Sequence, residues 1–166
     1  PTRRSSDLIV YGFGVNLRWK ELDFGAMFQG IGRTWRILSS NIMPASNKGS
    51  MYNIFDNYQD RWTVDNQSQD VFYPRADYGP NANNSQKSTW WLCNMSFLRL
   101  KNLELGYSCP KKWLQGFVIS NARVFVRGTN LLTFSKFNLW DPELATGDGA
   151  KYPAMKSVSV GFDITF

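Results

Sequence analysis

The fold is decided by Ser157-Val158-Ser159-Val160-Gly161-Phe162-Asp163-Ile164-Thr165-Phe166. Val158, Val160, Phe162, Ile164 and Phe166 fall on one parity, and Ser159, Gly161, Asp163 and Thr165 on the other. A period of two over this length predicts a β-strand with one apolar and one polar face. A tilted strand crossing the apolar layer of an outer membrane needs about 9–11 residues, so the length also suits a transmembrane strand.

The same alternation recurs upstream. Ile9, Tyr11, Phe13, Val15 and Leu17 predict a first strand ending at Trp19, and Lys20-Glu21 a tight connection to a second, with Leu22, Phe24, Ala26 and Phe28 on one face. From Arg33 to about Thr89 no period is sustained, which predicts one very long loop containing a short helix within Tyr52–Trp62. A third strand is expected over Asn94–Ser108, with a bulge near Lys101 because the polar parity changes there. After Pro110, Lys111–Gly116 suggest one helical turn or an open turn; a fourth strand covers Asn121–Thr133, and Phe134–Ala154 make a second loop. Short and long connections alternate, the asymmetry of a barrel with long external loops. Strands crossing hydrocarbon must pair on both edges. Five strands are too few for that, so these residues alone are expected to form an open sheet with unmatched edges at Ile9–Trp19 and Ser157–Phe166.

Composition narrows the functional classes. In 166 residues, 43% are apolar and 19% charged, which excludes disorder, and no apolar run is long enough for a transmembrane helix. The formal charge of +6 comes from Arg and Lys scattered along the chain, not gathered into a stripe, which argues against nucleic acid. There is no His, so the usual general base and commonest metal ligand are missing. Cys93 and Cys109 sit near opposite ends of one expected strand, too far apart to bridge, and make no zinc site. Asp141 and Glu143 flank Pro142 and read as loop-shaping residues, not as an acid–base pair; Gly12-x-Gly14 lacks the helix that a phosphate cradle requires. The chain reads as a non-enzyme without a cofactor. Pro1–Leu8 resembles the translation of a sequencing-adapter oligonucleotide and is set apart, leaving 9–166 as one unit.

Several blocks carry a resemblance. Phe97-Leu98-Arg99-Leu100-Lys101-Asn102-Leu103-Glu104-Leu105-Gly106-Tyr107, then Pro110, resembles a signature near the end of SusC/RagA-type TonB-dependent outer-membrane transporters. Asn130-Leu131, Asp141-Pro142-Glu143, Tyr152-Pro153, Gly161 and Phe166 follow in that family's order. Cys109 and Lys156 depart from the usual pattern. The resemblance implies an all-β fold: an antiparallel transmembrane β-barrel fragment, the last five strands of a 22-stranded barrel, with long extracellular loops and no plug domain. The implied function is the C-terminal barrel wall of an importer of glycans or peptides. Its implied location is the outer membrane of a Gram-negative, Bacteroidota-like cell, with the C-terminus periplasmic. Implied partners are outer-membrane lipid, a SusD-like lid lipoprotein, TonB, and the barrel-assembly machinery reading the terminal strand.

Polar residues on the inner parity, Asp23, Gln29, Glu104, Arg123, Arg127 and Asp163, are candidates for lumen or plug contacts, against the simpler reading that they fill a wet interior. Loop aromatics Trp35, Tyr52, Tyr58, Trp62, Tyr73 and Tyr78 are candidates for stacking on a ligand or lid, against packing on one another. Two other readings compete with the importer: a soluble β-sandwich carbohydrate-binding module, and a plug-less structural or porin barrel.

Overall fold

A computed structural model of the chain describes residues 8–38, 56–76, 81–84, 86–116 and 118–166. Seven strands are present: β1 (Ile9–Trp19), β2 (Leu22–Gly32), β3 (Trp35–Ile37), β4 (Leu92–Asn94), β5 (Phe97–Ser108), β6 (Asn121–Ser135) and β7 (Ser157–Thr165). Five form one antiparallel sheet in the order β1-β2-β5-β6-β7, while β3 and β4 pair separately. The expected strands are therefore present with small shifts in their ends. The third begins later than expected because Asn94 Oδ1 accepts the Ser96 amide at 2.9 Å, a local turn that separates β4 from β5. A single helical turn, α1 (Lys111–Leu114), follows β5. Of the helix expected within Tyr52–Trp62, the described residues show a 3-10 turn over Asp56–Gln59, and residues 52–55 lie outside the described residues.

The expected bulge lies at Lys101. Met27 and Phe28 of β2 face Asn102 and Leu100, which leaves Lys101 without a partner. On the other side, Leu100 and Asn102 face Leu132 and Thr129, so Asn130 and Leu131 fill the same gap. Asn130 takes a left-handed conformation there, with φ 54°, a geometry that Asn tolerates better than most residues. The bulge exchanges the faces of β5. Below it Leu103, Leu105 and Tyr107 share the apolar side; above it Leu98 and Leu100 do, because Leu100 pairs with Phe28. Phe28 stacks on Phe13 with ring centroids 5.1 Å apart.

The apolar face is uncovered. Val160 and Phe162 of β7 are 72% and 75% exposed, and β1 is exposed along its whole length. Burial within the sheet unit concentrates on the upper part of β5, at Phe97, Arg99 and Leu100, and on Met95 just before it. A second compact unit is drawn from the described residues of Arg36–Cys93 together with Thr146–Ala150. Its interior is built on Leu38, Tyr73 and Trp91; Leu38 donates its amide to the Trp91 carbonyl at 2.8 Å.

These findings correct the architecture expected from the resemblance. The described strands form an open sheet, not a β-barrel: β1 pairs only with β2 and β7 only with β6. Five strands joined edge to edge leave two rows of unpaired backbone groups, and such edges are not tolerated in hydrocarbon. Placement in the outer membrane with a periplasmic C-terminus, transmembrane strands and extracellular loops is accordingly not carried by the described residues, whose sheet is open. The reading of 9–166 as the barrel wall of an outer-membrane importer goes with it. Of the competing readings, a structural role fits the single open layer better. Among the described residues, no helix is long and apolar enough to cross a membrane.

Candidate functional site

The pairing register places Asp23, Gln29, Glu104, Arg123, Arg127 and Asp163 on one face of the sheet. Five of the six are joined by ion pairs. Arg123, on β6, reaches across β5 to Asp23 on β2, with Nε 3.0 Å from Asp23 Oδ1. The same guanidinium donates to Glu104 at 2.6 Å, and it lies 3.4 Å from Asp163 on β7. Arg127 donates to the other oxygen of Glu104 at 2.7 Å. One network thus ties four strands together. Gln29 stands apart, opposite Gly12 and Arg99.

The electrostatics follow from this geometry. Hydrogen bonding to Arg123 holds the Asp23 carboxyl below its usual range. Bonds from Arg123, then from Arg127, do the same for Glu104. The two carboxylates in turn push the Arg123 guanidinium further towards its charged form. Positive and negative groups are nearly balanced, so the network is closed on itself and suits support better than capture of a charged ligand.

Two glycines of the signature make the arrangement possible. A Cβ at Gly106 would collide with the Arg123 guanidinium and the Asp23 carboxylate, so the bare backbone of β5 is the passage through which that pair meets. A Cβ at Gly161 would strike the ring of Phe125. That ring lies on the otherwise polar face between Arg123 and Arg127, whose guanidinium carbons are 5.1 and 5.3 Å from its centroid. Sequence reasoning missed Phe125. The only signal for it was an aromatic flanked on both sides, two residues away, by arginine.

Other signature residues form a second cluster. Arg99, 2% exposed, pairs with Asp141 and, at 2.9 Å, with Glu143. Lys101 lies 2.8 Å from Glu143. Asp141 also caps the 3-10 turn Pro142–Leu144 by accepting the Glu143 amide at 3.0 Å, and Pro142 is buried. The loop-shaping reading of Asp141 and Glu143 matches this geometry. The Asn130 side chain donates to the Met155 carbonyl at 3.1 Å. Leu98, Leu105, Tyr107, Leu131, Tyr152, Pro153 and Phe166 join neither ion cluster, and Tyr152 and Phe166 are largely exposed. Along β1 and β2 runs an open groove of about 740 Å³, lined among others by Gly12, Gly14, Asn16, Asp23, Gly25 and Glu104.

Among the described loop aromatics, Tyr58 and Tyr73 pack on each other. Tyr73 is 1% exposed; its hydroxyl donates to Asn57 Oδ1 at 3.2 Å, and its ring is 5.7 Å from that of Tyr58. Burial pushes the Tyr73 hydroxyl pKa upwards. Arg61 lies 4.7 Å over Tyr58 and Arg75 5.7 Å over Trp62. Trp35 is half-buried in β3. Tyr52 and Tyr78 lie outside the described residues. Cys93 and Cys109 are both free thiols. Among the described residues no group of His, Cys, Asp or Glu could hold a metal ion.

Comparison with known proteins adds an independent line. No family model matches the chain. It is 31% identical, over 95% of its length, to TonB-dependent receptor P26 of Formosa agariphila. It is 27% identical, over 93%, to TonB-dependent receptor P3 of the same organism. Against TonB-dependent receptor SusC of Bacteroides thetaiotaomicron it is 33% identical over 48% of its length. The chain spans 17%, 16% and 8% of these three relatives. Among solved structures, the RagAB peptide importer in its open-open state superposes with a TM-score of 0.73 at 34% identity, over 95% of this chain and 17% of that one. A second RagAB peptide transporter structure gives 0.71 at 35%, over 93% and 17%. The relatives are transporters, not enzymes. By sequence and by fold, the chain resembles a segment of a SusC/RagA-type TonB-dependent transporter.

Proposed function

We propose that this chain serves as a structural sheet within a TonB-dependent transport system, with no bond chemistry of its own. The carrying observation is a likeness in both fold and sequence, TM-score 0.73 at 34% identity, over 95% of the chain. The geometry supports a scaffold role: an ion network closed on itself, and no cluster able to bind a metal among the described residues. In this reading the two unpaired edges are completed by further strands. The polar face carrying Asp23, Gln29, Glu104, Arg123, Arg127 and Asp163 meets the moving parts of the transporter. The proposed partners are a SusD-like lid lipoprotein and TonB, and the proposed cargo class is peptides or glycans. Trp35, Tyr58 and Trp62 are the proposed lid or ligand contacts, Tyr73 being too deeply buried to take part directly.

The test is uptake of labelled peptides and glycans by cells whose transporter carries or lacks residues 9–166, with transporter abundance measured alongside. Loss of TonB-dependent uptake is the expected result. Undiminished uptake without the segment overturns the proposal.

A further inference from the structure

The cluster around Arg99 unites two signature blocks lying far apart in sequence. The segment Lys136–Ala145 leaves the end of β6 and turns back onto β5. It is anchored at its start, where the Phe137 amide donates to Ser135 Oγ at 3.1 Å and Ser135 Oγ donates to the Ser96 carbonyl at 2.8 Å. The rings of Phe137 and Trp140 meet edge to face at 4.9 Å. It ends in the short turn that Asp141 caps, closed by Leu144 and Ala145 amides on the Asp141 and Pro142 carbonyls at 3.1 and 3.2 Å. Between these points, the polar ties to β5 include Arg99 with Asp141 and Glu143, and Lys101 with Glu143.

We propose that Lys136–Ala145 is a strap latched electrostatically onto β5, able to open while the sheet stays intact and so to control access to the buried polar face at Arg99. Three observations support a local latch. Trp140 Nε1 and Arg99 Nε are buried without hydrogen-bond partners, so the closed state is incompletely satisfied at both sides of the contact. Lys101, lying in the bulge, is free of the ladder on both sides, so its ammonium can follow the strap without breaking strand pairing. The latch has two parts of different character: Arg99 with Asp141 is almost fully enclosed, whereas Lys101 with Glu143 is partly solvated. Removing one partner of an enclosed pair costs far more than removing one of a solvated pair.

Hydrogen exchange on the whole chain tests the proposal. Asp141→Asn is expected to raise exchange at the Leu144 and Ala145 amides on the order of a hundredfold, the loss expected for an enclosed charge pair, while Leu103 and Leu105 in β5 keep their protection. Lys101→Gln is expected to raise strap exchange about tenfold or less, and that increment should vanish in about 1 M salt, where exposed charges are screened. Unchanged strap exchange in Asp141→Asn overturns the proposal. So does an equal loss of protection in β5, which would make the cluster part of the global fold. If Asp141→Asn does not fold, Lys101→Gln decides alone: faster exchange confined to the strap supports the latch, and no change, or a change shared by β5, overturns it.

Discussion

Arg123 reaches Asp23 over Gly106: the two charged residues stand on β6 and β2, and the strand between them has no side chain at the crossing point. A residue that reads in sequence as a weak spot in a strand is here the opening that lets the four-strand ion network reach β2. Glycine costs a strand roughly 0.5–1 kcal/mol relative to alanine where nothing else depends on it. At this position alanine should be the costlier residue.

Gly106→Ala is accordingly expected to destabilise the sheet by about 1–3 kcal/mol, the usual cost of separating a bonded charge pair or overpacking a tight contact. Gly161→Ala should have a similar effect by displacing the Phe125 ring. Denaturant midpoints at neutral pH check both. A stabilised Gly106→Ala variant would show that the crossing does not constrain the strand.

Within the network the couplings should be unequal. A double-mutant cycle between Arg123→Met and Asp23→Asn is expected to give a coupling of about 1 kcal/mol or more, because two donor nitrogens engage one carboxylate. The cycle with Asp163→Asn should give roughly 0–0.5 kcal/mol, since that carboxylate is 61% exposed and 3.4 Å away. Equal couplings would contradict the geometry.

Acid should weaken the sheet through the same residues. Asp23 and Glu104 have folded-state pKa values below their ordinary 3.8 and 4.5. The unfolded chain therefore takes up protons first as pH falls. Their contribution is fully present above those ordinary values and is lost as pH drops through the lower, folded ones. Urea midpoints followed from neutral into acidic pH should show this loss in the wild type and a shallower one in the Asp23→Asn, Glu104→Gln double variant.

Tyr73 offers a probe of the second unit. Burial raises its pKa above the ordinary 10.0, so its tyrosinate absorbance should appear at higher pH in the folded chain than in the urea-unfolded one. Because the unfolded chain ionises first, stability should decline as pH rises past 10.0. Tyr73→Phe should remove the late-titrating absorbance and cost about 0.5–1.5 kcal/mol through the lost bond to Asn57. A Tyr73 that ionises at the same pH in the folded and unfolded chain would overturn the assignment.

The two ion clusters show where sequence reading stops. Asp23, Glu104, Arg123, Arg127 and Asp163 could be placed on one face from alternation alone, but nothing local says that Arg123 meets Asp23, a hundred positions away. That meeting depends on the register of β2, β5 and β6. Arg99 and Asp141 read as separate signature residues, and their contact appears only when the segment after β6 folds back. Tyr73 stood among candidate binding aromatics because sequence cannot tell a buried ring from an exposed one outside a periodic element; its packing against Tyr58 settles that.

Alternation of side chains, the two-residue link at Lys20-Glu21 and the change of parity at Lys101 were sufficient to locate the five long strands, since a strand's two faces are a local property with period two. Their number also predicted an open sheet, since five strands are too few to close a barrel. Closure depends on how many strands pair and on what satisfies the outermost backbone groups, which is a property of the assembled sheet. The tertiary structure leaves β1 and β7 unpaired on their outer sides, the open sheet expected of five strands, and it alone decided which charged side chains meet across the strands, because that depends on their register.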